Sequence, residues 1–144
     1  MRSETLAALD ADFKKHPVLV AGPVTALEVA KMENAVGFSL PADYKLFVER
    51  FGGAIVGPYS VFGLRASDAM GDDEHSALAV TERFRKQHWR GTEGWLVVSI
   101  DHAGNPFGLD KEGRVFVSDH DAGFVEMVSD SFEDFLRTHC LKLN

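Results

Sequence analysis

Leu40-Pro41-Ala42-Asp43-Tyr44-Lys45-Leu46-Phe47-Val48-Glu49-Arg50-Phe51-Gly52-Gly53 is the stretch that sets the fold class. Leu40, Tyr44, Phe47 and Phe51 recur at spacings of four, three and four, the period of a helix with one face turned to a core. Pro41 takes the first helical position, where its missing N–H costs nothing. Gly52-Gly53 then stop the helix and begin a turn. A phosphate cradle would want those glycines ahead of a helix rather than behind one.

Toward the N-terminus the pattern stays helical. Thr25 and Glu28 stand three apart after Gly22-Pro23, the spacing of a capping box. Val29, Met32 and Val36 follow on one face, and Gly37 sits where a left-handed cap ends a helix. Leu6, Leu9 and Phe13 predict a first helix over Ser3 to Lys15, capped by Ser3 and ended by His16-Pro17.

Toward the C-terminus the period changes. Ile55, Val56, Tyr59, Val61 and Phe62 surround Gly57-Pro58 and predict two short strands. An acidic connector, Asp68 to Glu74, leads to a helix between His75 and Trp89 with Ala77, Val80 and Phe84 inward. Trp95 to Ile100 is a continuous apolar run of strand length, read as a buried central strand with Trp95 in the core. Strands near 106–109 and 115–117 flank the turn residues Asp110 to Gly113. Asp130 or Ser131 caps a last helix carrying Phe132, Phe135, Leu136 and Cys140 on its inner side. Hairpin-length links outnumber helical crossovers, so the expectation is one α+β domain over residues 1–144: N-terminal helices, a mostly antiparallel mixed sheet and a C-terminal helix packed on it.

Composition narrows the function. The chain has 22 acidic and 15 basic side chains in 144 residues, a formal charge of -7. That balance speaks against direct nucleic-acid binding, which relies on clustered Lys and Arg, and favours a basic protein partner. No apolar run reaches the ~20 residues of a membrane span. Acids at Glu4, Asp10 and Asp12 in place of an apolar signal core, and the lone Cys140, lead to the expectation of a cytoplasmic protein. Phosphate-loop, dinucleotide, nucleophile-elbow and His-Glu-x-x-His motifs are absent from the sequence, and no cofactor or catalytic residue is expected. Cys140 lies on an apolar helical face, the setting of an inert core thiol.

Two groups of residues carry the remaining chemistry. Asp68, Asp72, Asp73 and Glu74 fall in a stretch with no Lys or Arg between Arg65 and Arg83. They read either as a solvated loop leading into a helix N-terminus or as a negative patch for a basic partner. Asp101-His102 and Asp119-His120-Asp121 lie at strand ends. They offer metal ligands or acid–base groups if they converge, and otherwise serve as turn residues. Neighbours on a strand point to opposite faces, so an adjacent Asp-His pair does not ligate one ion without a bulge. The partner-binding candidates are therefore Asp68, Asp72, Asp73, Glu74, Asp119 and Asp121.

The order of landmarks resembles the SUKH superfamily, in the branch named for the Smi/Knr fungal cell-wall regulators. Its N-terminal signature is matched by Met32-Glu33, Val36-Gly37, Leu40-Pro41-Ala42-Asp43-Tyr44, Phe47 and Phe51-Gly52-Gly53. Gly104-Asn105-Pro106-Phe107 and Leu109-Asp110 through Gly113-Arg114-Val115-Phe116 are similar to its central strands, and Ser131 to Leu136 to its closing helix. The likeness covers about residues 25–137; the connector from Asp68 to Trp95, with its extra charged helix, departs from it. The resemblance implies structural roles for Gly37, Leu40, Pro41, Tyr44, Gly52, Gly53, Trp95, Asp110, Gly113 and Phe132. It further implies an α+β binding module without catalytic residues. Bacterial members are typically immunity proteins that bind and neutralise polymorphic toxin domains, nucleases and deaminases among them, while fungal members are regulatory scaffolds. A regulatory scaffold, and a metal-dependent hydrolase built on the Asp-His clusters, are the alternatives.

Overall fold

The computed structural model describes residues 1–143, without the side chain of Asp73. Helix α1 covers Ser3–Lys15, α2 Ala26–Val36, α3 Ala42–Phe51 and α4 Ala77–Lys86. The strands are β1 Ala54–Val56, β2 Tyr59–Val61, β3 Leu96–Ile100, β4 Pro106–Leu109, β5 Val115–Asp119 and β6 Phe124–Ser129. A short α5, Phe132–Phe135, runs straight into a π-helical turn over Leu136–Cys140. β1 and β2 form an antiparallel hairpin, and β3-β4-β5-β6 form an antiparallel sheet in sequence order.

Local sequence explains most boundaries. The Thr25 hydroxyl accepts from the Glu28 N–H at 3.2 Å while Glu28 Oε1 accepts from the Thr25 N–H, and Gly37 closes α2 in the left-handed conformation. Leu40, Tyr44, Phe47 and Phe51 are all buried, as their spacing requires. Ser131 caps α5 by accepting from the Asp134 N–H.

Four expectations need correction. Ser3 lies inside α1; Arg2 holds the cap position and contributes no side-chain bond. Pro41 is the extended cap residue ahead of α3 rather than its first helical residue, a shift of one position. β3 is buried but terminal in its four-stranded sheet; the β1–β2 hairpin lies on its free side, where the Phe62 N–H donates to the Val98 carbonyl. Strand β6, Phe124–Ser129, has no counterpart among the strands expected from the sequence. Its residues 124–127 are exposed, so the core imposes no burial alternation on them and periodicity has little to report. Gly123 at its head and the β-branched Val125 and Val128 were the remaining signal.

A line of rings ties the layers together: Phe13 of α1, Phe51 and Phe47 of α3, Phe132 and Phe135 of α5, and Phe107 of β4. Successive centroids along it lie 5.1, 5.6, 5.3, 6.5 and 4.9 Å apart. α4 is joined to β3 by hydrogen bonds as well as by packing. Register slips between Val97 and Ser99, and the Val97 N–H donates to Thr81 Oγ1 at 2.7 Å. A buried backbone donor is thereby satisfied at the irregularity. Trp95 is 5% exposed just ahead of β3, and its indole lies flat on Gly108, where any β-carbon would stand 2.1 Å from the ring. Trp95 is thus a core residue, as its sequence context suggests.

The start of α5 is held by carboxylates from three elements. Asp43 accepts the Glu133 N–H at 2.9 Å, and Glu133 accepts the Arg2 N–H and the Thr5 hydroxyl, both at 2.8 Å. Buried Arg137 also donates to Thr5 Oγ1 and pairs with Glu4 at 2.7 Å. Burial pushes the Glu133 carboxyl upward. The Arg2 amide, the Thr5 hydroxyl and the nearby amino terminus outweigh it and hold the group below its ordinary 4.5. Folding therefore favours the ionised form, and that stability is present above the unfolded value and lost as pH falls through the lowered folded one. The melting temperature of Glu133→Gln should fall below that of the parent near neutral pH. The gap should close on acidification through this range; a gap independent of pH would show that charge at Glu133 is not what holds α1 to α5.

Candidate functional site

The acidic connector hangs from the N-terminal end of α4. Ala69 N–H donates to the Val18 carbonyl, and Met70 and Gly71 N–H groups donate to the Ser67 carbonyl, so the loop is pinned at its base. Asp72 Oδ1 accepts the Glu74 N–H at 3.0 Å and lies 3.5 Å from the His75 ring, with its side chain 73% exposed. Asp68 and Glu74 are also exposed. Asp73 was named with them, and its side chain lies outside the described residues. Glu74 continues into a shallow groove along α4 lined by Ala79, Glu82, Arg83 and Lys86, in which Lys86 pairs with Glu82 at 3.3 Å.

Asp119 and Asp121 stand at the other end of α4. After that helix the chain turns so that Trp89 packs edge-on against Phe84 and its indole meets the His120 ring at 4.7 Å. Arg90 Nη1 donates to the Gly123 carbonyl at 2.9 Å, fixing the β5–β6 turn. Asp119 Oδ1 accepts the Ala122 N–H within that turn, while Asp121 is exposed. The ten residues of α4, about 15 Å of helix, separate the two acidic groups. They do not form one patch.

The two Asp-His clusters are linked through a residue that spacing did not single out. Asn105 is buried between them. Its N–H and Nδ2 donate to the two Asp101 oxygens at 2.8 and 3.1 Å, and its Oδ1 accepts the His120 N–H at 3.2 Å. Asp101 also accepts the Ala103 N–H. Both carboxylate oxygens are thus engaged in shaping the β3–β4 turn, and His102 stacks on Tyr59 with centroids 5.3 Å apart. Among the described residues, no three His, Cys, Asp or Glu side chains gather as a metal site. The strand ends do approach one another; Asp101 and Asp119 accept turn N–H groups, His102 and His120 pack on aromatic rings, and Asp121 is exposed.

The remaining motif residues are placed as builders of the frame. Tyr44 donates to the Phe62 carbonyl at 2.8 Å from a fully buried position, and burial raises its hydroxyl above the ordinary range. Asp110 accepts the Glu112 and Arg114 N–H groups and pairs with the Arg114 guanidinium at 2.8 Å, organising the β4–β5 turn that contains Gly113. Gly113 in turn lies beside Pro41. Cys140 is 2% exposed, and burial pushes its thiol up to about 12, which keeps it from forming a thiolate at neutral pH. No helix among the described residues is long and apolar enough to cross a membrane.

A family model described as SMI1 / KNR4 family (SUKH-1) matches residues 23–138, from the approach to α2 into the π-helical turn. α1 lies ahead of the matched range. No curated protein matches the chain.

Proposed function

The chain belongs to the SMI1 / KNR4 family (SUKH-1), and on that premise we propose that it is an immunity-type binding protein that neutralises a basic toxin domain in the cytoplasm by covering its working surface. It acts by binding and not by catalysis, and its partner is a protein. The observation that carries this reading is where the acid surplus stands. Asp68, Asp72 and Glu74 are exposed on a loop anchored at its base, and Asp121 is exposed on a turn fixed by Arg90. Anchored negative charge steers a positive partner and sets its orientation at little entropic cost, while apolar contacts supply the residence time.

Co-expression with the toxin domain encoded beside it should restore growth of a toxin-poisoned host, and the two purified proteins should form a complex. Reversing Asp68, Asp72 and Glu74 together to Lys should slow association about tenfold at low salt and leave dissociation nearly unchanged. A parent protein that neither binds nor rescues would sink the immunity reading. An unchanged association rate in the triple variant would remove this loop from the interface.

A further inference from the structure

β6 is the outer strand of its sheet. Among the described residues, no hydrogen bond joins residues 124–128 to an element other than β5, so one edge of their backbone is open. Natural sheets blunt such edges with Lys, Pro or a cover. Between Phe124 and Ser129 there is no Lys or Pro; the one charged side chain is Glu126, and the pairing with β5 shifts register once, between Val115 and Phe116. Instead Phe124 is 42%, Val125 36% and Met127 47% exposed, three of the five large apolar side chains with that much surface among the described residues. The strand is also preformed, because Arg90 holds its leading turn and all five β5 residues pair with it.

The register separates the strand into two faces. Val125 and Met127 stand beside Ser118 and Phe116, making one face largely apolar. Glu126 and Phe124 stand beside Val117 and Asp119, which places carboxylates on the other. Along the sequence, residues 115–136 hold six acids and no Lys or Arg. In space Arg90 is tied to the Gly123 carbonyl, and Arg114 lies over the Phe116 ring, paired with Asp110 and Glu112. A second copy of the chain would bring its own Asp119, Asp121 and Glu126 to the same edge. A basic segment meets complementary charge on one face and an apolar surface on the other.

We propose that β6 is a docking strand for an extended segment of a basic protein, one that alternates basic and apolar side chains and adds to the four-stranded sheet as a fifth strand. Backbone bonds give the affinity, and the alternation gives the specificity. This rests on the binding function proposed above and locates it on the sheet edge, with the acidic loop at the far end of α4 left to steer.

The test uses the whole protein and two synthetic eight-residue probes, one alternating Lys and Val and one alternating Glu and Val, followed by amide chemical shifts and by sedimentation. The Lys/Val peptide should shift amides of 124–128 and bind at least tenfold more tightly than the Glu/Val peptide. Glu126→Lys should reverse that preference, and Val125→Lys with Met127→Lys should weaken Lys/Val binding at least tenfold without moving the melting temperature, since all three side chains are exposed. Equal affinity for the two peptides, no shift at β6, or a dimer paired through β6 would overturn the proposal. None of these outcomes touches the rescue assay, so the immunity reading stands or falls separately.

Discussion

Gly52→Ala should lower stability by about 3 kcal/mol, whereas Gly123→Ala should cost only about 1 kcal/mol, although both glycines have nearly the same positive φ. Their φ values are +74° and +71°. Alanine in that left-handed region costs roughly 1–2 kcal/mol in either place. The difference lies in the neighbours. A β-carbon on Gly52 would stand 2.2 Å from the Gly22 carbonyl oxygen, and at Gly123 it would meet nothing within 4 Å. The obstruction at Gly52 is backbone and cannot swing aside. The Gly22 N–H donates to the Phe51 carbonyl and the Ala21 N–H to the Gly53 carbonyl, while on the opposite side the Arg65 N–H donates to the Gly52 carbonyl. Moving any of these segments breaks bonds that hold the end of α3 between two crossing chains. Urea denaturation of both variants measures the contrast from the midpoints, provided the slopes agree. Equal losses would mean that the chain relaxes around Gly52 and that the glycine serves only to end the helix.

That contrast shows what the sequence made legible. Stopping a helix is local, so Gly52 could be read as a terminator from the residues before it. The crossing of Ala21–Gly22 and Gly63–Arg65 on either side depends on residues some 10 to 30 positions away, which local pattern does not encode. The same division holds elsewhere. The Thr25–Glu28 capping box and the Leu40-Tyr44-Phe47-Phe51 stripe are local, and both are present as read. Asn105 carries no local signal beyond the stretch Gly104-Asn105-Pro106-Phe107, yet it binds Asp101 four positions before it and the His120 N–H fifteen positions after it. β3 looked central because both of its faces are covered. One cover is α4, attached through Thr81, and a continuous apolar run reads the same whether strands or a helix and a hairpin surround it.

The candidate interface was the least legible part. Asp68, Asp72 and Glu74 announced themselves by charge, and the structure leaves them exposed. Phe124, Val125 and Met127 did not, because apolar residues in sequence argue first for burial. Only the sheet order shows that, among the described residues, no strand pairs with β6 on its outer side.

Phe132→Ala should cost about 3–5 kcal/mol, a fifth or more of the roughly 5–15 kcal/mol that holds a typical domain folded, while Phe124→Ala should cost far less, about 1 kcal/mol or below. The two side chains are chemically identical and eight positions apart. Phe132 is fully buried, edge-on to Tyr44 at 4.9 Å and to Phe47 at 5.3 Å, and carries the ring line from α3 into α5. Truncation leaves a cavity among rigid aromatic neighbours. α5 has only four residues and cannot close that space by itself, since so short a helix depends on its packing. The expected drop in melting temperature is on the order of 15 °C. Phe132→Leu keeps most of the volume and should recover more than half of the loss, which separates a packing defect from a failure to start the helix. At Phe124 the ring is already 42% exposed, so truncation opens no enclosed cavity and costs the fold far less. A small effect at Phe132, or a large one at Phe124, would reverse the assignment of one ring to the core and the other to the open edge. A Phe124→Ala protein that keeps its stability while losing affinity for the Lys/Val peptide places that ring in the docking surface.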